Sequence, residues 1–113
     1  MSWPEFPGRG ADVPAGFNET WELRLYVTGH SPKCLLAAEN LRWVCEQYLA
    51  GRYRIDVVDL LENPRVAAYD QILAVPTLVR QVPLPVRKIV GDLSDTARLL
   101  AGLQLPGPNT ALP

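Results

Sequence analysis

One histidine and two cysteines are all that the 113 residues offer to soft-metal or thiol chemistry. His30, in a polar turn beside Gly29, has no Cys, Asp or Glu near it at metal-ligand spacing, so no metal site is expected and the side chain reads as solvated. Cys34 and Cys45 fall in one segment that reads as helical. At 1.5 Å per residue their Cα atoms lie about 16 Å apart, and a disulfide needs them within about 7 Å. Two unpaired thiols fit a reducing compartment.

Long apolar runs are also lacking. None approaches the roughly 20 residues needed to span a bilayer, and Met1-Ser2-Trp3-Pro4-Glu5 carries no basic stretch leading into an apolar one, so a cytoplasmic location is expected. Nor is there an excess of positive charge. Eleven basic residues against twelve acidic ones give a formal charge of −1, without the field that phosphate backbones or anionic lipids select. Neither nucleic acid nor a membrane is an expected partner. The glycines are too scattered to cradle a phosphate, and Gly29 has no companion at Walker or Rossmann spacing. Asp56, Asp59, Glu62 and Asp70 are spread over different elements and form no acid and base pair. No cofactor and no enzymatic activity are expected.

What is present is enough apolar material for one core: 48% of the chain is hydrophobic, which suits a single domain. Residues 1–20 hold Pro4, Pro7, Gly8, Gly10, Pro14 and Gly16 without apolar periodicity, and residues 106–113 are equally hostile to helix and sheet. Both are expected as disordered tails, leaving one domain over residues 21–105.

Inside it, Trp21, Leu23, Leu25 and Val27 alternate with polar neighbours, which predicts a strand with one apolar face. Ser31 is a good N-cap and Pro32 suits the first helical position. Cys34, Ala38, Leu41, Cys45 and Tyr48 then recur at helical spacing up to a stop at Gly51. Tyr53, Ile55 and Val57 alternate with Arg54 and Asp56, a strand whose polar half suits a sheet edge. Asn63-Pro64 opens a short helix reaching toward Ile72, and Pro76 to Val79 reads as a third strand. Val82-Pro83-Leu84-Pro85 turns the chain into a fourth strand at Val86 to Val90, and Gly91-Asp92-Leu93-Ser94 caps a last helix through Leu103. The string βαβαββα is that of an α/β, thioredoxin-like single domain. From Leu61 onward short apolar runs broken by prolines fit helix or strand equally.

In such a fold, redox chemistry sits where the first strand meets the first helix, because the helix N-terminus lowers a thiol's pKa. Here that stretch is His30-Ser31-Pro32-Lys33-Cys34, with a serine where the attacking cysteine would stand, and a hydroxyl forms no mixed disulfide. Cys34 and Cys45 lie on the apolar stripe of their helix and read as small core residues.

Four stretches resemble the KaiB family of circadian clock proteins: Leu23 to Gly29, Asp59 to Pro64, Ile72 to Leu78, and the long block Pro83 to Ser94. They occur in KaiB order and spacing over nearly the whole folded part. The resemblance implies a protein that acts by binding, with a KaiC-like hexameric ATPase as partner, a homo-oligomer (dimer or tetramer) as one possible state, and an alternative KaiB ground-state fold of the C-terminal half beside the thioredoxin-like one. Pro76, Pro83, Pro85, Gly102 and Gln104 are the expected fold-switch positions. Gly102 matches a family glycine in the last helix, where Gly102→Ala is expected to favour the thioredoxin-like form through helix propensity. Gln104 stands where cyanobacterial relatives are acidic.

Docking is expected at the edge strand around Tyr53, Arg54 and Asp56, which could accept a partner's strand. Trp21, Arg80, Arg87 and Lys88 are expected to contribute an aromatic anchor and basic groups. The alternative for Trp21 is a cover for the sheet edge, and for the basic residues plain solvation. Arg54 and Asp56 replace the small and basic residues of cyanobacterial KaiB, which weighs against a KaiA-like third component and leaves a KaiC-type partner. Two other classes stay open: a thioredoxin-like oxidoreductase using Cys34 alone, and an adaptor binding another signalling protein such as a histidine kinase.

Overall fold

A computed structural model describes residues 20–105; the expected tails, save Thr20, lie outside the described residues. The elements are β1 (Trp21–Val27), α1 (Pro32–Tyr48), β2 (Tyr53–Asp59), α2 (Pro64–Tyr69), β3 (Thr77–Val82), β4 (Arg87–Val90) and α3 (Thr96–Leu103). Their order is the expected βαβαββα. They form one four-stranded sheet in the order β2-β1-β3-β4, with β1 parallel to β2, and β3 antiparallel to both β1 and β4.

The sheet is covered on both faces. Leu23, Leu25 and Val27 of β1 point to one side, where Cys34, Ala38, Leu41 and Cys45 of α1 and Leu99 and Leu103 of α3 close the main core. The alternate residue Tyr26 points to the other side and joins Val79 and Ile72 in a smaller cluster, with Val66 and Ala67 of α2 packed on it. The period-two pattern of β1 thus serves two cores at once. Burying a leucine of the main core contributes roughly 2 kcal/mol.

Ser31 has extended dihedrals and its hydroxyl accepts the Cys34 N–H at 3.3 Å, while Pro32 occupies the first turn, so α1 starts where the sequence indicates. It ends earlier than Gly51: the Leu49 N–H closes the last turn on the Cys45 carbonyl at 2.7 Å, and Gly51 supplies the left-handed residue of the following turn. The reach of α2 toward Ile72 is corrected as well. The helix stops at Tyr69, Gln71 takes a positive φ, and the Ile72 N–H returns to the Ala67 carbonyl at 2.8 Å, which turns Ile72 into the smaller core. Strand β3 begins one residue after Pro76, which has no N–H to give to a ladder.

The cap of α3 is Asp95, whose carboxylate accepts the Arg98 N–H at 3.1 Å, rather than the preceding Gly91 to Ser94 segment. That segment folds on itself, with Asp92 Oδ1 accepting from the Ser94 N–H at 3.0 Å and the Ser94 hydroxyl at 2.7 Å. Three peptide bonds are cis, Val75–Pro76, Val82–Pro83 and Leu84–Pro85.

Candidate functional site

At the β1–α1 junction Ser31 is committed to capping, and Cys34 beneath it is only 1% exposed. A thiol sealed under the sheet cannot meet a disulfide on another protein. Cys45 is fully buried, and that burial, with the Glu46 carboxylate beside it, pushes its thiol pKa well up, away from the reactive thiolate. Among the described residues no group of three or more His, Cys, Asp or Glu could hold a metal ion, and no helix is long and apolar enough to cross a membrane.

Strand β2 lies at a sheet edge, paired on one side with β1 in register from Trp21↔Tyr53 to Val27↔Asp59. Its alternation divides the expected docking residues. Tyr53 turns inward, buried at 2%, and its hydroxyl donates to Glu46 Oε2 at 2.5 Å. Burial and that carboxylate both raise the phenol pKa. Arg54 and Asp56 lie on the opposite face, where with Glu22, Arg24 and Gln81 they line a polar cleft of about 220 Å³. Above the cleft the Tyr26 hydroxyl donates to Asp70, and Arg24 Nη1 reaches the same carboxylate at 3.5 Å, which ties the end of α2 to the sheet. Desolvation, then the bond to Asp70, raises the Tyr26 pKa.

The basic residues divide too. Arg80, expected as a surface group, is 2% exposed. Its Nη1 donates to the Leu103 carbonyl at 2.6 Å, and its Nη2 to the Pro85 carbonyl at 2.8 Å and to Gln104 Oε1 at 3.1 Å. The guanidinium stands 5.3 Å from the centre of the Trp21 ring, a cation–π arrangement. Burial, and the like charge of Arg87 opposite it on β4, hold its pKa below the usual arginine value. Arg80 thus brings together Trp21, Pro85 and Gln104, three residues singled out in the sequence for two different reasons. Trp21, on the inner strand β1, is half-buried against the main core.

Arg87 is exposed on the same side as Arg80, whereas Lys88 projects to the α2 side, its Nζ donating to the carbonyls of Asp70 and Gln71 at 3.0 and 3.1 Å. Beside Lys88 lies an apolar groove of about 530 Å³ floored by Ile72 and Thr77 and rimmed by Leu73, Ala74 and Val90. Sequence alone does not show this groove, because it forms only when the 70–76 loop folds back beside β4. The signal for it was Leu73, a large apolar residue left without a periodic place.

Comparison with known proteins agrees with this arrangement. The model of the KaiB domain matches residues 24–105. The chain is 47% identical over 89 residues to the circadian clock oscillator protein KaiB of Gloeothece citriformis, a match spanning 79% of this chain and 84% of that protein. It is 48% identical over 87 residues to the protein of the same name from a Nostoc species, across 77% of this chain and 81% of the relative. Among solved structures it resembles chloroplastic thioredoxin z, with a TM-score of 0.62 at 25% identity over 76% of this chain and 78% of that one. The N-terminal domain of Synechococcus elongatus SasA gives a TM-score of 0.59 at 22% identity, covering 84% of this chain and 94% of that domain, which speaks for the fold alone.

Proposed function

The chain belongs to the KaiB family, and we propose that it works in the cytoplasm as a non-enzymatic regulator that docks on a KaiC-type ATPase and modulates its phosphorylation or ATPase cycle. The observation that carries this reading is the pairing of a retained thioredoxin-like scaffold with a redox corner closed to chemistry: Ser31 is spent on a helix cap and Cys34 is sealed below it. With no thiol at the surface of that corner, what the fold offers a partner is its edges and its exposed side chains. Strand β2 presents an edge that is unpaired among the described residues, beside Arg54 and Asp56, and Arg87 and Lys88 give the other edge a positive character.

The same reading includes a second conformation of the C-terminal half, with homo-oligomers among its forms. Arg80 supports placing the switch there, since one side chain ties the β3–β4 turn at Pro85 to the α3 terminus at Leu103 and Gln104. Loss of that tie frees both segments together.

The direct test is ATP hydrolysis and phosphorylation of a KaiC-like ATPase from the same source, followed with and without the purified chain. A changed steady-state rate at stoichiometric amounts supports the proposal. An unchanged rate, together with failure of the ATPase to retain the chain in a pull-down, transfers the function to an adaptor for another signalling protein.

A further inference from the structure

The open edge of β4 and the apolar groove beside it belong to one surface. The Gly91 N–H bonds to the Pro76 carbonyl at 3.0 Å, and β3 and β4 run antiparallel with Thr77 opposite Val90 and Val79 opposite Lys88. In an antiparallel ladder, successive residues point their backbone groups alternately toward the neighbour and away from it. Arg87, Ile89 and Gly91 therefore address β3, and Lys88 and Val90 turn their N–H and C=O groups outward, where among the described residues no strand receives them. The side chains of these same two residues line the groove. An incoming strand would meet free backbone partners and an apolar trough at the same two positions.

The rim of the groove is costly to leave bare. Leu73 is 98% exposed and Val90 46%. Isolated exposed leucines are ordinary, but apolar residues gathered beside an unpaired strand edge mark an interaction site. The charge of the edge selects the occupant. Arg87 and Lys88 are both exposed on a strand of four residues, and the two partners of the Lys88 ammonium are neutral carbonyls. A second copy pairing β4 with β4 would set these cations against their own equivalents, which is repulsive. An extended segment carrying a carboxylate beside an apolar side chain meets both features.

We infer that β4 and its groove form a docking site for an extended, acidic and apolar segment of a partner protein, added to the sheet as a fifth strand with a carboxylate at Lys88 and, two residues along on the same face, an apolar side chain between Leu73 and Val90. This inference rests on the reading of the chain as a binding module. It adds a site separate from the β2 edge, which lies across the sheet.

The test has two arms. In the first, the isotope-labelled full chain is titrated with an acetylated pentapeptide that carries glutamate and valine at its second and fourth positions and threonine elsewhere, so that both face the groove, and with its lysine-for-glutamate counterpart. The acidic peptide is expected to shift the amides of Lys88, Val90 and Thr77 in a saturable way, and the basic one to bind about tenfold more weakly. Leu73→Asp, at a position too exposed to disturb the fold, is expected to abolish the shifts. Shifts confined to β2, or none at all, would overturn the inference. In the second arm the KaiC-like ATPase is offered to wild-type, Leu73→Asp and Lys88→Glu chains. Binding of wild type with loss in both variants assigns this segment to the ATPase. Equal binding of all three overturns the β4 site and leaves the proposed function standing. Failure of wild type to bind, with a positive peptide titration, removes the ATPase as partner and keeps the site.

Discussion

Arg80 and Leu103 are joined by a 2.6 Å hydrogen bond from the buried guanidinium to the last carbonyl of α3, so a charged residue in the middle of the sheet closes the end of the final helix. Among the described residues its Nε has no hydrogen-bond partner. Three carbonyl acceptors and an indole ring hold this cation in place of a carboxylate. Buried charges without an opposite charge are uncommon, and this one sits where the two halves of the C-terminal region meet.

Removing Arg80 is therefore expected to unfasten α3. Arg80→Ala should cost about 2 to 3 kcal/mol, the range for losing hydrogen bonds from a charged donor, and urea unfolding monitored by circular dichroism measures it. Gln104→Glu works in the opposite direction by giving the cation a counter-charge. Its carboxyl pKa should fall below the unfolded value, so its stabilisation is present above about pH 4 and disappears as pH drops through the lowered pKa. A variant whose stability equals that of wild type at pH 7 would contradict the assignment of Gln104 as the partner of Arg80.

Gly102 faces Ile89 closely: a Cβ built there would come within 2.7 Å of Ile89 Cδ1 and 2.9 Å of Cγ1. The gain in helix propensity on Gly102→Ala, up to about 1 kcal/mol, is thus opposed by a contact that sequence alone does not show. The two positions are expected to couple by about 1 kcal/mol in a double-mutant cycle with Ile89→Ala, which removes both of the crowded carbons. In the Ile89→Ala background the propensity gain should dominate, and Gly102→Ala should favour the thioredoxin-like form there, read as a shift in oligomer distribution or in melting temperature. Additive effects of the two substitutions would count against the contact.

Stability should fall on the alkaline side. The pKa values of Tyr53 and Tyr26 are both raised in the folded chain, chiefly by burial and then by the neighbouring Glu46 and Asp70. An acid with a raised folded pKa contributes stability that is complete below its unfolded pKa and is lost as pH climbs toward the folded one, here above about pH 10. The Cys45 thiol, raised by burial, adds a loss that begins near pH 8.5. Denaturant midpoints measured between about pH 8 and 11 should decline, and the decline should flatten in a Tyr26→Phe, Tyr53→Phe double variant. An equal slope in that variant would show that the phenols are not its source.

The thiols should be silent in catalysis. Insulin disulfide reduction with dithiothreitol should proceed no faster with the chain than without it, and Cys34→Ser should change nothing. An acceleration that Cys34→Ser abolishes would bring back the oxidoreductase reading.

The fold was legible where one pattern admitted one structure. The alternation of Trp21 to Val27 and the stripe from Cys34 to Tyr48 behind Ser31-Pro32 place β1 and α1 almost to the residue. Beyond Leu61 element order could be read but not the boundaries, because positive φ at Gln71 and the Asp95 cap are decided by tertiary contacts. The site was legible in part. Period two puts Arg54 and Asp56 on the open face of β2, and the same rule turns Tyr53 inward. Arg80 was misplaced because charge type suggests exposure, whereas its long stem carries the guanidinium past Leu103 to carbonyls that exist as free acceptors only once α3 has ended.

The central claim is physical association with a KaiC-type ATPase, and size-exclusion chromatography with light scattering on the chain, the ATPase and ATP measures it most directly. The account predicts a new, heavier species that contains both proteins and accumulates slowly, and that is weakened by Leu73→Asp or Lys88→Glu. Separate elution of the two proteins after a day of mixing, at concentrations where each is folded, would contradict it.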